Sequence, residues 1–169
     1  MQDIQRQFVA ALELFEVFTD AEKAELRQSA DAIRSVQQGL IEQMKSSGTA
    51  ETCHLCRGDC CMAMNESEIF TPGYFLALLL SISESERQRI QDVLLKNKRR
   101  NSPIGQPLCI FAGEAGCTLP EDMKPTMCIS FFCDAFPDAD SMHDRFESVL
   151  TKETDRFHLG MFLPMMRHR

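Results

Sequence analysis

The sequence lacks an apolar run long enough to cross a bilayer. Its longest, Tyr74-Phe75-Leu76-Ala77-Leu78-Leu79-Leu80, falls well short of the roughly 20 residues a spanning helix needs and predicts a buried helix instead. Met1 to Gln7 show no basic start followed by an apolar stretch, so no export signal is expected. Positive charge is scarce as well: 18 Lys and Arg stand against 25 Asp and Glu, a net charge of −7. The one basic run, Lys96-Asn97-Lys98-Arg99-Arg100, sits where a helix C-terminus accepts cations anyway, so the broad positive footprint of a nucleic-acid binder is missing. The histidines, His54, His143, His158 and His168, are scattered, and none pairs with another at metal-ligand spacing. No Ser-His-Asp or paired-carboxylate arrangement, glycine-rich nucleotide loop, internal repeat or low-complexity segment is present. The expectation is a cytoplasmic chain with no membrane or nucleic-acid partner and no assigned catalytic residue.

Cysteine is what the chain has in plenty. Cys53, Cys56, Cys60 and Cys61 fall within nine residues. Cys109, Cys117, Cys128 and Cys133 follow a helical middle, with seven, ten and four residues between them. The thiolate is both the nucleophile and the metal ligand, so such density points to soft-metal binding, disulfides or thiol redox chemistry. Two residues between Cys53 and Cys56 let both sulfurs turn toward one point, and Gly58 relaxes the backbone so that Cys60 can follow. The adjacent Cys60 and Cys61 project to different sides of the backbone, so Cys61 serves a second ion, a second iron, or remains a thiol.

At 169 residues the chain is long enough to bury a core without cross-links, which lowers the disulfide reading. A thioredoxin-like use of Cys53-x-x-Cys56 would need a preceding strand, and here a long helix precedes it. Metal binding remains, with zinc or iron as the ion. Four-cysteine ligation suits zinc and an iron–sulfur cluster alike. No cysteine is followed by proline and the spacings are not of the plant-ferredoxin type, which sets zinc ahead. Arg57 and Lys124 lie inside the two cysteine segments, where a cation offsets the charge of a four-thiolate site. Met62 and Met64 read as packing rather than as thioether ligands.

The remainder is helical in pattern. Ile4, Phe8, Ala11, Leu12, Phe15 and Phe18 predict an amphipathic helix over 3–18, and Leu26, Ile33, Val36, Leu40 and Met44 predict a second over about 20–45. Thr19 with Glu22 is a capping box between them. Thr71-Pro72 starts a buried helix through Leu80, and Ser83 with Glu86 opens a polar helix through about Lys98. Leu108–Phe111 and Cys117–Leu119 predict a short β-hairpin presenting Cys109 and Cys117 together. Asp140 or Ser141 caps a closing helix with Met142, Phe146, Val149 and Leu150 inward, and a tail from Phe157 packs down and then frays.

Taken together, Cys53-x-x-Cys56-x-Gly58-x-Cys60-Cys61, Cys109-Ile110-Phe111, Gly116-Cys117, Lys124-Pro125 and Cys128-x-x-x-x-Cys133 resemble the YkgJ-type cysteine-cluster family, described as zinc- or iron-chelating. The resemblance covers about residues 53 to 133 and does not reach the N-terminal hairpin. Lys124-Pro125 stands where the family usually has Arg-Pro, and Ile129 stands where it has arginine; Leu119-Pro120-Glu121 replaces an aromatic-containing turn. The resemblance implies a thiolate metal site and little about a reaction. A related cysteine cluster in flagellin lysine N-methylases implies, more distantly, an iron–sulfur enzyme using S-adenosylmethionine.

The combined expectation is a mainly α protein: a helical domain with cysteine-rich metal-binding loops and one small β-hairpin. Residues 1–46 form a helical hairpin packed on a cysteine-cluster unit over 47–169. All eight cysteines, Cys53, Cys56, Cys60, Cys61, Cys109, Cys117, Cys128 and Cys133, are candidate ligands. The N-terminal helices offer a surface for a protein partner or a homodimer.

Overall fold

Helix α1 (Asp3–Val17) forms where Ile4, Phe8 and Ala11 recur on one face, and all three are buried. The chain is described here from a computed structural model over residues 3–46, 66–96, 100–101, 105, 107–114, 116–125, 128 and 139–167. Phe18 closes α1 with its amide bonded back to Leu14 O at 3.2 Å, and its ring is buried. The Thr19 amide and hydroxyl both donate to Glu22 Oε2 at 2.9 Å, while Glu22 N donates to Thr19 Oγ1 at 3.3 Å. This reciprocal cap satisfies first-turn donors and starts α2 (Asp20–Ser46) at the expected place.

The centre of the molecule is the apolar helix. After a single turn, α3 (Glu66–Ile69), comes α4 (Pro72–Ser81), in which Phe75, Leu76, Leu78, Leu79 and Leu80 are all buried, while Tyr74, Ala77 and Ser81 on the remaining face are half-buried. Thr71 is its N-cap and accepts from Tyr74 N at 3.1 Å, with proline at the first helical position, where its missing N–H is harmless. Thr71→Ala is expected to lower unfolding free energy by about 1 kcal/mol in a denaturant titration. The carbonyls at the other end are satisfied by side chains from α2: Arg27 Nε donates to Leu80 O at 2.8 Å and Arg34 Nη1 to Ser81 O at 3.0 Å.

Ser83 and Glu86 repeat the capping device at the start of α5 (Glu84–Lys96), with Ser83 Oγ donating to Glu86 Oε2 at 2.6 Å and Ser83 N at 2.7 Å. These two bonds, the hydroxyl's first, hold the Glu86 carboxyl below its ordinary pKa of 4.5. A depressed folded value means that the cap stabilises fully above the unfolded pKa and is lost as pH falls through the folded one. Glu86→Gln should therefore lower the neutral-pH melting temperature slightly and flatten part of its decline on acidification, so that the two proteins converge at low pH. Ile90 and Leu94, one and two turns after Glu86, are buried and tie this helix to the core.

The closing helix is longer than its sequence suggests. Asp140, Ser141 and the tail from Phe157 all lie inside one helix, α6 (Ala139–Arg167), so neither residue stands before the helix as its cap; Phe157, Met161 and Met165 pack on the core as expected, and His168 and Arg169 lie outside the described residues. The helix runs on through Gly160 and Pro164. A Cβ added at Gly160 would lie 3.2 Å from Leu26 Cδ2, so the glycine is where α6 presses on α2. Phe157, one turn earlier, is buried and anchors the same face. The approach of Arg167 to Glu22 at 3.8 Å shows that the two helices run antiparallel. The side chains of Met142, Phe146 and Val149 lie outside the described residues, and Leu150 is half-buried.

One antiparallel ladder is present among the described residues: β1 (Ala112–Gly113) pairs with β2 (Gly116–Cys117), with Ala112 opposite Cys117 and Gly113 opposite Gly116. It is shorter than the predicted hairpin and begins where that reading placed the connection. Ile110 and Phe111 explain the shift, because both are buried and successive residues of a strand face opposite sides. A turn, closed by Ala112 N to Cys109 O at 2.9 Å, lets both enter the core. Buried side chains from α1 and α2 and from the rest of the chain join in one cluster.

Candidate metal centre

Of the eight candidate ligands, Cys109, Cys117 and Cys128 fall within the described residues, and all three are thiols. Cys53, Cys56, Cys60, Cys61 and Cys133 lie outside them, as do Arg57, His54, Met62 and Met64. The three described thiols come from three different local structures. Cys109 opens the turn into β1, is half-buried and packs against the core; Cys117 is exposed on β2. Cys128 follows a turn in which its amide donates to Pro125 O at 2.9 Å, and it too packs half-buried against the core.

Their common neighbour is Tyr74. Its ring meets Phe70 at 5.5 Å and Phe75 at 5.0 Å, and its hydroxyl donates to Met123 O at 2.5 Å. Burial pushes the phenol well above its ordinary pKa of 10.0, and negative charge at Cys128, Cys117 and Cys109 pushes it further in the same direction. All three thiols lie within electrostatic reach of this one phenol, although Cys109 and Cys128 are 19 positions apart in the chain. Tyr74 stays neutral there and adds no charge to a site already rich in sulfur. Read in the sequence as one more member of an apolar run, it has one distinguishing signal: it is the chain's single tyrosine, with a polar handle on a helix otherwise made of Phe, Leu and Ala.

The segment that carries Cys128 is pinned from α2. A 3-10 turn, Glu121–Met123, presents Asp122, whose Oδ2 accepts from Arg34 Nη2 at 2.5 Å. Lys124 and Pro125 follow and, with Tyr74 and Met123, form one wall of a cavity of about 490 Å³ between α2, α4 and α6. Lys124 is half-buried on this wall, four residues before Cys128 in sequence. The hairpin is tied back by Leu108 N to Arg100 O at 2.9 Å and by Arg100 Nη2 to Glu114 Oε1 at 3.5 Å, which accounts for the last residue of the basic run. His158 is exposed and sits against α4, its Nε2 3.0 Å from where a Cβ on Gly73 would be.

Three soft donors and a nearby ammonium suit a thiolate-held metal in kind. Among the described residues, however, no three His, Cys, Asp or Glu side chains come together closely enough to hold an ion. No helix among the described residues is long and apolar enough to cross a membrane. The chain matches no protein-family model, no curated protein and no solved structure.

Proposed function

We propose that the chain holds zinc or iron through thiolates from both cysteine segments, in a structural or chelating role in the cytoplasm. The observation that carries this reading is the gathering of Cys109, Cys117 and Cys128 around Tyr74 from three separate segments. Converging thiols in a reduced compartment are costly as bare thiolates, because partial burial and mutual repulsion both raise their free energy. A bound cation removes that cost. The metal itself would supply folding free energy by joining segments distant in sequence.

The chain's own residues have clear parts in such a site. The Arg34–Asp122 pair fixes the turn that leads to Cys128, and Phe111 in the core fixes the turn between Cys109 and β1. Four thiolates around zinc leave a net charge of −2, and Lys124 is placed to offset part of it. Tyr74, held protonated, contributes shape without charge. The likeness of the cysteine spacings to the YkgJ-type family supports the same assignment.

A second reading is an iron–sulfur cluster with a redox or electron-transfer role, and more distantly a methylase-like enzyme. Four-cysteine ligation suits such a cluster as well as it suits zinc. Metal analysis with an absorption spectrum, on protein purified without oxygen and without an affinity metal, separates the two. Zinc without a visible band is the expected result. Iron with inorganic sulfide and a broad band near the blue selects the cluster, and absence of both metals overturns the proposal.

A further inference from the structure

Apart from the cysteines, α6 carries a second set of soft donors. His158, Met161 and Met165 line one open groove of about 730 Å³, which runs between α1 and α6 beside the first turn of α4. At about 100° per residue, Met161 and Met165 lie roughly 60° and 20° around the helix from His158, so the three share one face. Residues three and four positions apart on such a face stand about 5–6 Å from each other at Cβ. Helical side chains lean toward the N-terminus, which carries Met165 over the turn of Met161 and Met161 over that of His158. The rotatable bonds of each methionine let its sulfur adjust to a shared point.

Packing explains only one side of these residues. Met161 and Met165 are half-buried and rest on the core, yet both also face the open groove. His158 is exposed, with its ring edge-on to Phe157 at a centroid distance of 6.4 Å. Among the described residues neither of its ring nitrogens makes a hydrogen bond. The glycine at position 73 leaves room for the ring on the α4 side of the groove. An imidazole with no hydrogen-bond partner, beside two thioethers that reach solvent, is a ligand set for a soft ion.

The donors select the ion. Zinc would find only Glu13 and His158 as suitable ligands along the groove, too few for a protein zinc site. Thioether sulfur selects Cu(I), and imidazole suits copper as well. We propose that His158, Met161 and Met165 form a Cu(I) site separate from the cysteine segments. All three donors are neutral, so the ion keeps its single positive charge, and the exposed Glu13 on the α1 bank supplies the opposite charge. None of the cysteines lies on α1 or α6, so the site does not depend on the thiolate centre.

Titration of the full chain with Cu(I), held reduced by ascorbate under nitrogen and followed by NMR of isotope-labelled methionine methyl groups, tests the inference. Thiolates take Cu(I) first, so the phase that matters begins once they are filled. In it the methyl signals of Met161 and Met165, assigned from Met161→Leu and Met165→Leu, should move together and saturate with one further equivalent, while that of Met123 holds still. His158→Gln should weaken this phase by at least about tenfold, since even residues that only orient a ligand cost that much. It should leave the melting temperature of the metal-free chain unchanged, because the ring is exposed. Methyl signals of Met161 and Met165 that stay in place after the thiols are filled overturn the proposal, as does a late phase that His158→Gln leaves unaltered. The late phase in a chain that holds neither zinc nor iron as purified would support this site while overturning the thiolate centre.

Discussion

Serine at Cys109, Cys117 or Cys128 is expected to lower bound metal and thermal stability together. Each substitution removes one soft ligand, and structural zinc sites built on thiolates supply on the order of 10 kcal/mol of folding free energy in small domains. Cys117 is the most informative of the three, because it is exposed and its thiol has little packing to lose. In chelator-treated protein, Cys117→Ser and the unsubstituted chain should melt together; in the metal-loaded form they should separate by many degrees. Metal content unchanged by all three substitutions would sink the site as drawn. A useful contrast is Tyr74→Phe, which strands the Met123 carbonyl and should cost about 1–3 kcal/mol with or without metal. Loss of stability without loss of metal is the signature of a packing residue, and the cysteine variants should not show it. Cys56→Ser, in the first cysteine segment, is expected to behave like Cys128→Ser.

Features written in short stretches of sequence are found in place. The two capping boxes, Thr19 with Glu22 and Ser83 with Glu86, and the Thr71-Pro72 start are local chemistry, satisfied within three residues. The long helices follow from their apolar spacing, because burial of one face decides where a helix packs. What failed was set by contacts remote in sequence. The closing helix continues through the expected tail to Arg167, with Gly160 pressed against Leu26, 134 positions away. The hairpin register moved because Ile110 and Phe111 both needed the core, and alternation alone would have sent one of them outward.

The candidate site divides in the same way. The density of cysteines is a local signal, but spacing does not say how the segments that carry them are placed. Cys109, Cys117 and Cys128 are gathered by a two-residue ladder, a buried phenylalanine and a turn pinned by Arg34 to Asp122 across 88 positions. None of these is a local signal. Tyr74 was hidden for the opposite reason: on a helix buried along most of its surface, its hydroxyl gains meaning only when Met123 and the three thiols are placed around it.

Phe111→Ala should show how closely the fold and the site are joined. The ring is 1% exposed and lies 5.2 Å from that of Phe70, which in turn contacts Phe75 and Tyr74. Truncation leaves a cavity the size of a ring and should lower unfolding free energy by about 3–5 kcal/mol, whether or not metal is bound. That is a large part of the 5–15 kcal/mol typical of a domain. A second loss should appear only in the metal-loaded protein. The Phe111 carbonyl accepts from Thr118 N at 2.7 Å and Thr118 Oγ1 at 2.9 Å, so a ring that no longer anchors this residue loosens the stretch joining Cys109 to Cys117. Phe8→Ala is the matched control, since Phe8 is equally buried and packs edge-on to Phe75 at 5.2 Å, but it lies on α1, apart from the cysteine segments. Both variants should melt earlier, and competition with a chelator should extract metal faster from the Phe111 variant alone. Equal extraction rates in the two would mean that the core does not position the ligands, and that the metal orders the hairpin rather than the reverse.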